Sequence, residues 1–392
     1  MRVRNGHGGK TLMDVFYFGN MYDTSGYTQV NRYIVSNLCA MGARVFLPAP
    51  GPRDGAEWIR KPHLELIDRL VTSRIADTGV AVFGTTAPTF WRYVQEYLQG
   101  KGFYKIGMTM IESDRITPGW ARACELVNEL WVPSSWSKAA FVAGGVPNHK
   151  IRIMPLGVDT WLFKPPAARR RSHVYRFLSA FEWIHRKGPD LLVRAYFRAF
   201  KRSDPVLLTI KTYPSCLGHT DRDGSRLREQ IEGFRRETGR HDLPALEIIQ
   251  RPVRANQMLA LYWSSDCYVL PTRGEGWSLT VMEAMACGLP VITTRWGAHM
   301  DYLSDKTAFL IPIDGLEPAT DRQEVYGGSH WARPNVDALA RLLRYCYENR
   351  EKARNVGEMA RRVVLNYSWK TSVERMYSRL KEVFGEVREG SR

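Results

Sequence analysis

The chain of 392 residues favours two domains over a single small binding module, and its 44% hydrophobic and 24% charged content excludes a disordered or low-complexity protein. No stretch approaches the roughly 18 uninterrupted apolar residues of a membrane span, and Met1–Asp14 lacks the apolar core of a secretory signal, so a cytoplasmic location is expected. The net charge of +16 points to an anionic partner, whether nucleic acid, phosphorylated metabolite or acidic membrane face.

Val15-Phe16-Tyr17-Phe18 is the first expected strand; GNMYDTSGYT then reads as a loop and QVNRYIVSNLCAMG as a helix ending at Gly42. The segments ARVFLPAP, VAVFG, YKIGMTMIE and ELWVPS follow as strands, separated by helices in LELIDRLVTSRIAD, FWRYVQEYLQ and WARACELVN. IRIMPLGVD (151–159) closes this half with a strand and turn, and TWLFKPPAARRRSH, rich in Pro and Arg, marks a boundary near residue 165. Its run Arg169-Arg170-Arg171 is expected to be a solvated connector. Strands YRFLSAF, VLLTIKTY, LEIIQR, CYVLPT, PVITT and FLIPI then alternate with helices DLLVRAYFRAF, SRLREQIEGFRRETG, NQMLALYWSS and LTVMEAMACG, and the chain from Val336 to about Phe384 is helical. Short Val/Ile-rich strands alternating with helices imply parallel βαβ units. The expected fold is therefore α/β, with two Rossmann-like doubly wound domains, 1–165 and 166–365, facing a cleft, and a final helical segment 366–392. Open parallel sheets bind ligands beyond the carboxyl ends of their strands.

The six cysteines are scattered, without Cys-x-x-Cys pairs or zinc-ligand spacing, so neither a disulfide framework nor structural zinc is expected. Chemistry concentrates instead in Thr272–Pro290, TRGEGWSLTVMEAMACGLP, which follows strand CYVLP and opens a helix. A glycine-bearing loop at a helix N-terminus presents free N–H groups and the positive dipole end to phosphate oxygens. Carboxylates such as Glu275 and Glu283, eight residues apart, accept hydrogen bonds from sugar hydroxyls. Together these elements suit a nucleotide sugar.

In this setting Glu275 and Glu283 resemble the E-x7-E motif of retaining glycosyltransferases of family 4, which have the GT-B fold of two Rossmann-like domains. MPLGVDTWLFKP (154–165) is similar to the family's interdomain strand and linker, RKG (186–188) to its basic motif, and CGLPVITTRWGAHMDYL (287–303) to its usual continuation. The resemblance covers most of the chain. It implies that residues 1–165 bind the acceptor, that 166–365 bind the donor, and that the last helix crosses back to the first domain, with a hinge in 160–175. It implies that Glu283 holds the donor ribose and Glu275 the donor sugar, with Gly276, Trp277, Ser278 and Leu279 lining the donor site. Lys187 and Arg186 then face the diphosphate, whose developing negative charge a fixed cation stabilises. The family usually carries an Arg about five residues before this Lys; here the position falls on Glu182, and Arg186 and Lys211, at the end of VLLTIK, are the alternatives. Ser25-Gly26-Tyr27-Thr28 is similar to the glycine-rich loop between first strand and first helix, with one of the usual two glycines missing; a loop glycine of positive φ is its plainer reading. Glu112 and Asp114 are candidate acceptor-side acids, without the His common near this site in the family. Trp277 and Tyr302 stack on a sugar or base, or belong to the core.

The resemblance implies transfer of a sugar from a nucleotide-diphosphate sugar, of UDP or GDP type, to an acceptor hydroxyl on a glycan, glycolipid or small molecule. It favours front-face displacement, in which the departing phosphate takes the acceptor proton. No obligatory cofactor or divalent metal is expected, because basic residues and a helix terminus neutralise the diphosphate. An epimerase or phosphorylase on the same fold is the second reading. A nucleic-acid-binding protein is the third, disfavoured by the lack of any nucleic-acid motif accompanying the charge. Arg60–Arg74, basic and amphipathic, suits peripheral contact with anionic headgroups or is an ordinary surface helix.

Overall fold

The computed structural model describes residues 13–168, 172–213 and 224–390. The Arg169–Arg171 run and Cys216 lie outside the described residues.

The first half alternates as expected: β1 (Asp14–Phe18), α1 (Gly26–Ala40), β2 (Arg44–Ala49), α2 (Lys61–Leu70), β3 (Thr78–Gly84), α3 (Thr89–Tyr93), β4 (Gly102–Met108), α4 (Pro118–Glu125), β5 (Glu129–Val132), α5 (Ser135–Ala143) and β6 (Ile151–Ile153). The second half follows with β7 (Tyr175–Ala180), α6 (Pro189–Ala199), β8 (Val206–Lys211), α7 (Ser225–Glu237), β9 (Ala245–Ile249), α8 (Ala255–Trp263), β10 (Cys267–Leu270), α9 (Leu279–Ala286), β11 (Val291–Thr294) and β12 (Phe309–Ile311). A hairpin of β13 (Ile313–Pro318) and β14 (His330–Pro334), with the short α10 (Gln323–Tyr326) between its strands, precedes α11 (Val336–Glu348), α12 (Arg350–Val364) and α13 (Trp369–Gly390).

Two six-stranded sheets result, in the orders β2-β1-β3-β4-β5-β6 and β12-β11-β10-β7-β8-β9. Their strand pairs run parallel, as in β1 with β3 and β7 with β8. Every residue of β10 and β11 is buried, the near-continuous apolar run expected of a parallel strand covered on both faces. Two helices of the first half begin at side-chain caps. The Ser25 hydroxyl accepts from the Thr28 N–H at α1, and the Ser134 hydroxyl from the Ser137 N–H at α5.

The chain divides into two compact units, one from residues up to 108 with 126–129 and 373 onward, the other from 109–125 and 130–372. Within the first, Arg379 of α13 donates through Nε to Glu129 Oε1 at 2.9 Å, and the Tyr104 hydroxyl donates to the same oxygen at 3.2 Å.

Three expectations need correction. The helix expected from Leu64 onward is Lys61–Leu70, and Val71 is extended, so Arg74 is not part of a basic amphipathic helix. FLIPI is two strands, β12 and β13, separated at Pro312, whose missing N–H cannot join a ladder. The hairpin β13–β14 has no counterpart among the expected elements, because its strand IDGLEP buries no alternating apolar face. The five described cysteines are free thiols, and burial pushes Cys124 up to about 12, far from a reactive thiolate.

Candidate active site

In the second sheet the strand order reverses between β10 and β7, the kind of switch point at which open parallel sheets bind ligands. The loops leaving these two strands carry Arg186, Lys187 and Glu275.

Glu275 is 3% exposed. Lys187 Nζ donates to its Oε1 at 2.6 Å, and Arg186 Nη1 stands 4.0 Å from the same oxygen. Burial works against the carboxylate charge, but Lys187, with Arg186, outweighs it and holds the Glu275 carboxyl below its ordinary range. Arg186 is itself buried: Nη1 donates to the Gly274 carbonyl at 2.6 Å, and Nη2 lies 3.5 Å from Glu112 Oε1. Burial opposes its charge too, and Glu112, with Glu275 behind it, raises its pKa further above the ordinary arginine value.

The loop is fixed by groups that sequence patterning did not single out. Arg273 forms a bidentate pair with Asp190, 2.9 Å to each oxygen, and its Nε donates to Glu317 at 2.6 Å. Thr272 Oγ1 donates to the Gly274 carbonyl at 3.0 Å, and Gly274 sits so close to the Glu112 carbonyl that an added Cβ would lie 2.0 Å from it. Tyr326 of α10 donates to Glu112 Oε2 at 2.8 Å, so both Glu112 oxygens are engaged. Asp114 accepts from the His330 N–H at 2.7 Å. The two candidate acceptor-side acids are thus gripped by the hairpin and its α10. Arg273 and Asp190 are legible in hindsight as TRGEG and GPD, but their pairing across 83 residues carries no local signal.

The backbone then enters α9 through Ser278, one of two non-glycine residues at positive φ among the described residues (φ 73, ψ 75). Its hydroxyl is buried without a hydrogen-bond partner and makes no cap, and the first-turn N–H groups of α9 have no intrahelical acceptor. The Tyr302 hydroxyl donates to the Trp277 and Ser278 carbonyls, at 2.7 and 3.1 Å, and fixes this strained turn. The Trp277 ring is 2% exposed and packs on Tyr302 and Tyr367, so both aromatics are core and neither ring face is open to stack on a ligand. Gly276 approaches Met110, and Leu279 begins the helix. One turn on, Glu283 is 6% exposed and its Oε2 accepts from the Tyr262 hydroxyl at 2.9 Å. His299 is fully buried near Glu275; Nε2 faces the Thr294 carbonyl at 2.6 Å, so it carries the proton, and burial lowers the pKa and keeps the ring neutral.

Of the other sequence candidates, Lys211 is the last residue of β8 and 8% exposed. Gly26 belongs to the first unit; it opens α1 without a left-handed φ, and a Cβ there would meet nothing, so the positive-φ loop reading does not hold. No group of three metal-ligating side chains occurs among the described residues. The sequence carries an Asp-x-Asp pair, Asp221 and Asp223, which the expectation of a metal-free donor site passes over; both lie outside the described residues.

Ser278→Gly tests the strain at this turn. Removing Cβ at this φ relieves about 1 kcal/mol, so the urea midpoint should rise.

Residues 173–321 match the family model for glycosyl transferases group 1. The chain is 29% identical over 259 residues to a D-inositol 3-phosphate glycosyltransferase of Salinispora arenicola, covering 61% of this chain and 50% of that protein. It thus spans about half the length of the curated relatives it matches. The fold is GT-B. A glycosyltransferase from Rickettsia africae superposes with a TM-score of 0.71 at 15% identity, covering 95% of this chain and 99% of that one. HepE of Anabaena, in complex with UDP and glucose, gives 0.68 at 12% identity, covering 94% and 100%.

Proposed function

We propose that this chain, a glycosyltransferase of the GT-B fold, moves a sugar from a nucleoside-diphosphate sugar to an acceptor hydroxyl with retention at the anomeric carbon and without an obligatory metal ion. The observation that carries the reading is the buried, ionised Glu275, held by Lys187 and Arg186 just ahead of a helix N-terminus whose Ser278 hydroxyl lacks a partner. A carboxylate beside two cations and free N–H donors offers acceptors to sugar hydroxyls and donors to phosphate oxygens within one loop. HepE, with UDP and glucose bound, supports this class of donor.

In this mechanism Glu275 orients the donor sugar, Glu283 accepts from the ribose hydroxyls, and the N-terminus of α9 with Ser278, Gly276 and Leu279 receives phosphate oxygens. Lys187 and Arg186 stabilise the charge that grows as the C1–O bond to the diphosphate breaks. The acceptor oxygen bonds to C1 on the face that the diphosphate leaves, and the acceptor proton passes to a departing phosphate oxygen. Glu112, tied to Arg186 and Tyr326, positions the guanidinium beside Glu275.

We assign residues 1–165 to the acceptor, 166–365 to the donor and 366–392 to the returning helix, and a cytoplasmic location. The acceptor is a glycan, a lipid-linked sugar or a small molecule such as the inositol phosphate that the curated relatives' name indicates. Peripheral contact with anionic lipid through the face around Lys61 belongs to the same proposal; no helix among the described residues is long and apolar enough to cross a membrane.

The test is incubation with UDP-, GDP- and ADP-sugars in EDTA, following release of nucleoside diphosphate and the anomeric configuration of the product by NMR. Release from one class with the donor's anomeric configuration preserved is expected. Release only with added divalent metal, or an inverted product, overturns the corresponding part of the reading.

A further inference from the structure

We propose that the second unit carries a further anion site, at the sheet edge opposite Glu275, which takes the phosphate of a small soluble phosphomonoester through Arg176, Arg350 and Arg354. The inference does not depend on the donor reading above.

A cleft of about 460 Å³ opens at the amino ends of β7, β10 and β11, where Tyr175, Asp266 and Leu289 are among its lining residues. Arg186, Lys187 and Glu275 instead follow the carboxyl ends of β7 and β10. The six residues of β7 set the two edges roughly 16 Å apart. Open parallel sheets bind their principal ligand beyond the carboxyl ends of the strands, so a donor held there does not account for this cleft.

The lining is strongly positive. It holds three arginines, Arg176, Arg350 and Arg354, against one acid, Asp266. Arg350 donates only to carbonyls: Nη1 to Ser172 at 3.2 Å, Nη2 to His173 at 2.9 Å and Nε to Tyr347 at 3.3 Å. These bonds fix the side chain and leave its charge unneutralised. Arg176 Nε is buried without a hydrogen-bond partner. Arg354 is exposed, lies within electrostatic reach of Asp266 and forms no ion pair among the described residues. Asp266 Oδ2 accepts the Arg176 backbone N–H at 2.8 Å, and burial raises the pKa of this carboxyl, which makes it a poor counter-ion for three guanidinium groups. Asp221 and Asp223, outside the described residues, follow the carboxyl end of β8, which is the other edge of the sheet.

This arrangement suits a phosphate. Guanidinium groups present paired N–H donors at the spacing of phosphate oxygens, and a buried Nε without a partner is a donor that such an oxygen satisfies. Helix α12 begins at Arg350 without a side-chain cap, so the positive end of its dipole adds to the same potential. The cleft has the volume of a small-molecule site and exceeds a bare phosphate ion. Trp263, 39% exposed, and Pro166 supply apolar surface for the organic part of the ester.

The experiment is calorimetric titration of glucose 6-phosphate, glycerol 3-phosphate, inorganic phosphate and glucose into wild type, Arg176→Gln, Arg354→Gln, the double variant and Lys187→Met. The buffer is free of phosphate and low in salt, and circular dichroism establishes folding. The two esters should bind wild type more tightly than inorganic phosphate, glucose should not bind, and affinity should fall as salt is added. Each arginine variant should lose roughly tenfold in affinity for the esters, the double variant more, and Lys187→Met nothing. Because Arg354 is exposed, its variant carries the test even where Arg176→Gln does not fold. A folded Arg354→Gln with wild-type affinity, a loss confined to Lys187→Met, or no binding of either ester by wild type at millimolar concentration overturns the proposal. UDP and GDP titrated into the same proteins keep the two readings apart. The arginine variants should bind them as wild type does, and failure of wild type to bind them overturns the donor reading and leaves this one standing.

Discussion

Glu275→Gln is expected to lower kcat/KM by roughly 10²–10³, the effect of removing one preorganised group from a site where charge develops. The substitution keeps volume and leaves an amide oxygen for Lys187, which donates to Glu275 at 2.6 Å, so the chain should fold. What changes is the charge opposite Lys187 and Arg186 and the acceptor that the proposed mechanism offers to a donor sugar. Glu275→Leu is the harsher control: it strands the charge of buried Arg186 and half-buried Lys187 and should destabilise by roughly 3 kcal/mol. The pH response separates the two roles. Because the folded pKa of Glu275 lies below its unfolded value, its stabilisation is complete above the ordinary Glu value of about 4.3 and is lost as pH falls through the folded pKa. The urea midpoint of Glu275→Gln should therefore fall less steeply than that of wild type as the pH drops below 4.

Gly188→Ala is expected to give a large loss of stability. Gly188 has φ +70, closes the turn His185–Lys187 and precedes α6. A Cβ there would stand 2.2 Å from the Pro271 carbonyl oxygen, which is backbone and cannot rotate away. Left-handed strain and overpacking together amount to about 3 kcal/mol, read as a lowered urea midpoint. The shift should also move Lys187 from Glu275 and reduce activity in the surviving folded fraction. Gly26→Ala is the matched control: no left-handed φ and no neighbour within 4 Å, hence little change. Equal midpoints for the two variants would contradict this account of the β7–α6 junction.

The alternation of strands and helices was legible because each element carries its own period. VFYF, VLLTIK and CYVL are short apolar runs of buried parallel strands, and α1, α5 and α11 start at Ser25, Ser134 and Asn335, whose side chains cap the first turn. The loop from Thr272 to Ser278 stood out for its glycines and acid between a strand and a helix. What holds that loop was not legible. Arg273 meets Asp190 and Glu317, Glu112 meets Tyr326, and Tyr302 ties the backbone at Ser278; each pairing depends on tertiary packing rather than spacing. The hairpin β13–β14 escaped notice because IDGLEP lacks a buried alternating face. Its strands are stabilised by pairing with each other and by Ala332 donating its N–H to the Arg273 carbonyl at 2.9 Å.

The proposal that the β10–α9 loop holds a nucleoside diphosphate is checked by calorimetric titration of UDP, GDP and ADP in EDTA into wild type and Glu283→Ala. One diphosphate should bind wild type selectively, and Glu283→Ala should weaken it roughly tenfold or more, through loss of hydrogen bonds to a charged acceptor. Absence of binding by all three at millimolar concentration, with the protein folded, would contradict it.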